Sequence, residues 1–149
     1  MNKLARLTNE WKWELRVTLV DWDGRKYTAL FHNFRVGHGP RYELGLGEFD
    51  QNVSNIGAMS FLFHNGQAFS TFDKDQDAHM GADCSKLSGH GGWWFKNCFR
   101  SNLNGRNIPV RYYNVQANNK NDDGITTIDE RSRLISYRKT KMEMRKIKL

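Results

Sequence analysis

Residues 91–106 read GGWWFKNCFRSNLNGR, and this stretch decides how the rest of the chain is understood. Trp93 and Trp94 carry the largest apolar side chains available, about 150–250 Å² each, so they belong against a core beside Cys98. Asn102, Asn104 and Gly105 suit a turn held by side-chain-to-backbone hydrogen bonds. Cys98 has one possible partner, Cys84, fourteen residues before it. The pair fits free buried thiols, zinc ligands or a disulfide. Zinc needs further close-spaced ligands, and the sequence has no C-x-x-C or H-x-x-x-H. The disulfide is preferred: in the chain-entropy model a loop of this size gains about 3 kcal/mol, and a disulfide suits an extracellular setting.

Upstream, residues 72–84 read FDKDQDAHMGADC and crowd Asp73, Asp75, Asp77 and Asp83 together. Such repulsion is relieved by full solvation or by a cation. The alternating aspartates suit Ca²⁺, which takes six to eight oxygen ligands. An EF-hand is excluded, because Ala78 stands where the turn glycine belongs and Cys84 where the bidentate Glu belongs. A polar surface loop and a calcium loop both remain open on spacing alone.

Further outward, WKWELRVTLVDWDGRKYTALF alternates, with Trp11, Trp13, Leu15, Val17 and Leu19 on one side. Asp23-Gly24 then predicts a hairpin, with Tyr27, Ala29 and Phe31 on the return strand. RYELGLGEF repeats the period of two at Tyr42, Leu44 and Leu46. MSFLFHNGQAFSTF reads as a second hairpin turning at Asn65-Gly66, and KMEMRKIKL as a last strand. Residues 1–71 and 134–149 are therefore expected to build a central antiparallel sheet. Residues 72–133, rich in Gly, Asn and Asp, are expected to form a loop-dominated region, which is uncommon without function, metal or disulfide.

The 149 residues are enough for one domain with a real core. No apolar run approaches the ~18 residues that span a membrane, and the first residues have no apolar h-region of a signal peptide. The net charge of +7 lies entirely in residues 131–149, where eight Lys/Arg face Glu143 alone. Such a segment is either a polyanion-binding patch or a solvated basic strand. No zinc-finger, RRM or helix-turn-helix pattern accompanies it, which argues against specific nucleic-acid recognition. No G-x-S-x-G, phosphate-cradling glycine loop or H-E-x-x-H is present, and the five histidines follow no catalytic pattern. Asn52-Val53-Ser54 is a glycosylation sequon.

GWW-x-x-x-C followed by SNLNG closely resembles the C-terminal globular domain of the fibrinogen family, which includes ficolins, tachylectins, tenascins and angiopoietins. LTNEWKWELRV, FHNFRVGHGPRYELGLGEF, MSFLFHNGQAFSTFDKDQD, DDGI and YRKTKMEMR match in order, so the resemblance covers essentially the whole chain. It implies an α+β fold: a twisted antiparallel sheet plus a loop-rich subdomain, with the usual N-terminal subdomain missing. It also implies a Cys84–Cys98 disulfide and one Ca²⁺ held by the side chains of Asp75 and Asp77 and the carbonyls of His79 and Gly81. Asp77 stands one residue further from Cys84 than in relatives, which makes Met80 or Ala82 alternative carbonyl ligands.

The resemblance further implies a ligand pocket beside the calcium. A cis Asn97–Cys98 peptide would turn the Cys98 N–H into it, with Phe99 and His90 as neighbours. Several aromatic walls are replaced: Asn121-Asp122 stand for Tyr-Ala, Thr127 and Glu130 for two tryptophans, and Arg133 for a further aromatic. Asp122 matches the place where fibrinogen holds a ligand ammonium, which points toward an amine-bearing ligand. The expectation is a secreted, non-enzymatic, innate-immune lectin-like domain that binds glycans or peptides with calcium support. The alternative is a protein-interaction module for a receptor or matrix partner. A homo-oligomer built through a missing N-terminal region is also expected.

Overall fold

Period-two apolarity produces β1, Trp13–Val20, with Leu15, Val17 and Leu19 buried on one side. The computed structural model describes residues 1–109, 112–113, 124–129, 131 and 133–147. β1 is central in a three-stranded antiparallel sheet, between β2 (Lys26–Phe31) and β9 (Lys139–Lys146). Val17 pairs with Ala29 on one side and Met142 on the other. The β1–β2 turn is held by Asp21, whose Oδ1 accepts from the N–H groups of Asp23 and Arg25. Gly24 takes φ 85°, a left-handed conformation that glycine adopts without steric cost.

Residues 2–10, expected within the central sheet, instead form helix α1 (Asn2–Glu10), with Ala5 and Thr8 buried. Thr8 Oγ1 accepts from the Val36 N–H at 2.9 Å, docking the helix on β3 (Arg35–Val36). β3 pairs with β4, Leu44–Gly45. Leu44 and Leu46 are buried as expected, although the strand itself is only two residues long, Leu44 and Gly45.

The expected hairpin at Asn65-Gly66 is not formed. Met59–Leu62 is a short helix, α2, and the chain turns through Gly66 at φ 77°. Phe61 and His64, three residues apart, are both buried, whereas Met59 is exposed, which is a helical and not an extended pattern. The Phe61 ring packs edge-on to Phe31 at 5.8 Å. Asn65 pins the turn to Leu46, accepting from its N–H and donating to its carbonyl.

The region expected to be loops holds a second, four-stranded antiparallel sheet in the order β5-β7-β8-β6. Its strands are β5 (Ser101–Asn102), β6 (Tyr112–Tyr113), β7 (Thr126–Ile128) and β8 (Leu134–Ser136). β8, placed by sequence in the central sheet, belongs to this second one, and the chain rejoins β1 only at Lys139. Trp22 Nε1 donates to Ser136 Oγ at 2.9 Å, and buried Tyr137 meets Tyr27 edge-on at 5.9 Å. These contacts fasten the two sheets together. Phe31, Phe61, Leu44, Leu46, Trp93 and Trp94 belong to one continuous core.

Candidate functional site

The two glycines before Trp93 are required by contact. A Cβ on Gly91 would lie 2.3 Å from the Asn104 carbonyl oxygen, and one on Gly92 would lie 2.8 Å from the Phe69 ring. That closeness lets Trp93 pair with Ser70 across an isolated bridge and drives both indoles into the core. Asn102 and Asn104 do not merely hold their own turn. Asn104 donates to the Gly92 carbonyl at 2.7 Å and Asn102 to the Ser88 carbonyl at 3.1 Å, clamping residues 88–92.

His64 holds the same region from beneath. Fully buried, it donates from Nδ1 to the Trp94 carbonyl at 2.7 Å. Its Nε2 accepts from the N–H groups of Arg100 and Ser101, at 3.2 and 3.0 Å. These bonds bracket Cys98 on both sides and need a neutral ring. Burial pushes the His64 imidazole down to about 4.

Ser70, beside Trp93, starts the acidic loop by accepting from the Gln76 N–H at 2.9 Å. Asp75 Oδ1 then accepts from the Asp77 N–H, while Asp77 divides its oxygens between the His79 N–H and the Cys84 N–H, each at 2.8 Å. Asp83 caps helix α3 (Cys84–Leu87) through the Lys86 N–H and lies 3.1 Å from the Lys86 ammonium. One carboxylate oxygen from each of Asp75, Asp77 and Asp83 falls within 4.8 Å of the others. Burial, helped by the neighbouring Asp75 charge, holds the Asp77 carboxyl above its ordinary range. Burial acts in the same direction on Asp83, but hydrogen bonds and charge from Lys86 overcome it and set that carboxyl low.

Among the described residues, none donates to the carbonyls of His79, Met80, Gly81 or Ala82. The loop therefore offers a hard-oxygen donor set of carboxylates and unengaged carbonyls, which suits a cation such as Ca²⁺. Sequence reasoning named Asp75 and Asp77 as ligands. It left Asp83 as the fourth aspartate without a role, because a helix cap fourteen positions upstream of Asn97 gives no spacing signal toward a metal.

Cys84 and Cys98 form a disulfide with Cα atoms 5.4 Å apart. The Asn97–Cys98 peptide is cis, and the Cys98 N–H has no acceptor among the described residues. Ala78 donates to the Lys96 carbonyl at 3.1 Å, so the acidic loop lies directly against this segment. Asn97 is exposed; Phe99 is half-buried, its ring 6.4 Å from Phe95. His90 is exposed in a left-handed conformation, φ 65°, with its ring 5.9 Å from Phe72. Arg133 pairs with Asp129 at 2.8 Å and lines a cavity whose walls include none of Asn97, Cys98 and Phe99. Asp122, Asn121 and Glu130 lie outside the described residues.

The basic C-terminal segment becomes mainly β9, and several of its charges are matched. Arg145 meets Glu14 at 2.6 Å and Lys141 meets Glu143 at 2.7 Å, while the Lys146 ammonium sits over the Trp11 ring. No helix among the described residues is long and apolar enough to cross a membrane. Asn52 is exposed in a turn, and Ser54 Oγ accepts from the Leu30 N–H.

Residues 1–147 match the family model described as fibrinogen beta and gamma chains, C-terminal globular domain. The chain belongs to this family. It is 39% identical to human ficolin-3 over 104 residues, which is 69% of this chain and 33% of ficolin-3. The fibrinogen-like globe domain of human ANGPTL6 superposes with a TM-score of 0.80 at 33% identity, covering 98% of this chain and 62% of that one. A lamprey fibrin D-dimer complexed with the peptide Gly-His-Arg-Pro-amide gives 0.77 at 25% identity, covering 95% of this chain and 48% of that one. The chain spans about a third of the length of the full-length ficolin, fibrinogen and angiopoietin-related relatives it matches. The α+β fibrinogen C-terminal fold expected from sequence is the fold observed.

Proposed function

We propose that this fibrinogen-type domain is a secreted, non-enzymatic recognition module whose ligand pocket lies at Asn97–Cys98 and is supported by Ca²⁺ in the adjacent loop. One observation carries the reading. Asp77 binds the Cys84 N–H, Cys84 is bridged to Cys98, and the Cys98 N–H is an unengaged donor. A cation on Asp75 and Asp77, completed by the carbonyls of His79 and Gly81, would fix the wall that carries this donor. Met80 or Ala82 would serve if the inserted residue shifts the register. The disulfide agrees with an oxidising, extracellular setting.

The ligand is a small group with a carbonyl-type acceptor, from a glycan or a peptide N-terminus. Phe99 stands beside Cys98, and Arg133 is tied to Asp129 instead of walling the pocket with an aromatic ring. That poor aromatic lining favours an amine-bearing ligand over a neutral N-acetyl sugar. It also gives weight to the second reading, a protein-interaction surface.

Melting in calcium and in chelator tests the cation. A native-state ligand adds about 2.7 kcal/mol at one hundred times its Kd, so Tm rises with calcium, and Asp75→Asn or Asp77→Asn removes the rise. Calorimetry with N-acetylglucosamine, glucosamine and Gly-His-Arg-Pro-amide tests the pocket. The expected result is tighter binding of the two amines, lost in chelator. A Tm indifferent to millimolar calcium overturns the cation. A calcium-dependent Tm with none of the three probes bound favours the protein-interaction reading.

A further inference from the structure

A cavity of about 770 Å³ opens between residues 55–60 and the β7–β8 hairpin, within the size range of small-molecule sites. Among the described residues, three arginines, Arg100, Arg131 and Arg133, line it against one carboxylate, Asp129. Asp129 is fully committed. Its Oδ1 accepts from the backbone N–H groups of Arg131 and Arg133, and its Oδ2 takes the Arg133 guanidinium through Nε and a terminal nitrogen, both at 2.8 Å. The described lining therefore keeps two positive charges beyond that pair, on Arg100 and Arg131. Arg100 lies against the Phe63 ring, with its central carbon 5.6 Å from the ring centre.

The floor is polar and aromatic together. Buried Thr127 and Tyr137 share a hydroxyl–hydroxyl hydrogen bond of 2.8 Å, and Ser60 Oγ donates to the Ile128 carbonyl at 2.6 Å. Thr127 is one of the two positions where the family resemblance places tryptophan.

We propose that this cavity is a second recognition site, separate from the Cys98 pocket, for an anionic sugar unit bearing a sulfate or carboxylate. The planar guanidinium fork suits both oxyanions bidentately. The half-buried Tyr27 ring and the Ile128 and Ile135 side chains give the apolar contact a sugar face uses. The site does not depend on the acidic loop.

Calorimetry on the folded chain, with calcium and then with chelator, tests this using N-acetylglucosamine 6-sulfate, glucuronic acid and neutral N-acetylglucosamine. At least one acidic sugar is expected to bind at least tenfold more tightly than the neutral one, equally well in chelator, and more weakly as salt rises. Which acidic sugar binds tells sulfate from carboxylate. The Arg100→Gln, Arg131→Gln pair should weaken binding tenfold or more with Tm unchanged. Thr127→Trp, which keeps the charge but fills the space, should abolish it; if that variant does not fold, the arginine pair decides. Equal affinity for the neutral sugar, acidic-sugar binding that survives the arginine pair, or binding lost in chelator would each overturn the proposal.

Discussion

His64 shows how much one buried side chain can decide. A neutral imidazole satisfies three backbone groups on either side of Cys98, and charging it would place a second donor where two N–H groups already point. The folded state therefore resists protonation, with His64 near 4 against an ordinary 6.5. Between those values the unfolded chain binds the extra proton. The contribution of His64 is complete above about pH 6.5 and is lost as pH falls toward 4, roughly 3 kcal/mol in all. Asp83, Asp129 and Glu14 are also held low, but a carboxylate set low loses its contribution only below its own unfolded value, near 4. Urea midpoints should thus fall between pH 6.5 and 5, and His64→Asn should flatten that slope while lowering stability throughout. A wild-type midpoint constant over this range would contradict the assignment. Sequence alone gave His64 no role, because its partners lie thirty or more residues away. The aspartates of the acidic loop were legible because their signal is local.

At the scale of elements, the same distinction separates what was read correctly from what was not. β1, β2 and β9 follow from alternation that spans six to eight residues. The hairpin expected at 59–72 failed because MSFLF, residues 59–63, is apolar at four of five positions, so strand and helix periods fit it equally. Only its neighbours, Phe31 and the 93–101 segment, select the helical turn that buries Phe61 and His64 together. The second sheet escaped notice because strands of two or three residues carry no measurable period. The glycines of GGWW were legible as a motif but not as a contact. Gly91→Ala must push against backbone, the Asn104 carbonyl, and should cost about 1–3 kcal/mol. Gly57→Ala has open space and no left-handed requirement, so it should be neutral or stabilise by about 0.4–1 kcal/mol. Chemical denaturation of the two variants checks the contrast, and equal effects would show that the close approach at Gly91 is relieved by local adjustment.

For the molecule as a whole, the decisive feature is that the chain's first and last strands are neighbours. β9 pairs with β1 along its full length, from Trp13 with Lys146 to Val20 with Lys139. On the face away from the main core, Glu14 is buried and accepts from Arg145, 131 residues later, through both Nε and a terminal nitrogen. His32 approaches the other Glu14 oxygen at 3.0 Å and Asp50 at 3.5 Å, tying β2 into the same network. The hydrogen bonds from Arg145 come first among the causes that hold the Glu14 carboxyl low, against the opposing effect of burial. Arg145 is mostly exposed, so the pair is worth less than a fully buried ion pair. Arg145→Gln should cost about 1–2 kcal/mol, below the roughly 3–5 kcal/mol of breaking a buried pair. Part of that cost is the carboxylate left without its main partner, so Glu14→Gln made alongside Arg145→Gln should recover part of it. A double-mutant cycle should therefore give a coupling of at least about 0.5 kcal/mol. Strict additivity would mean that β9 is held by its backbone ladder and side-chain packing alone, with the ion pair incidental to closing the sheet.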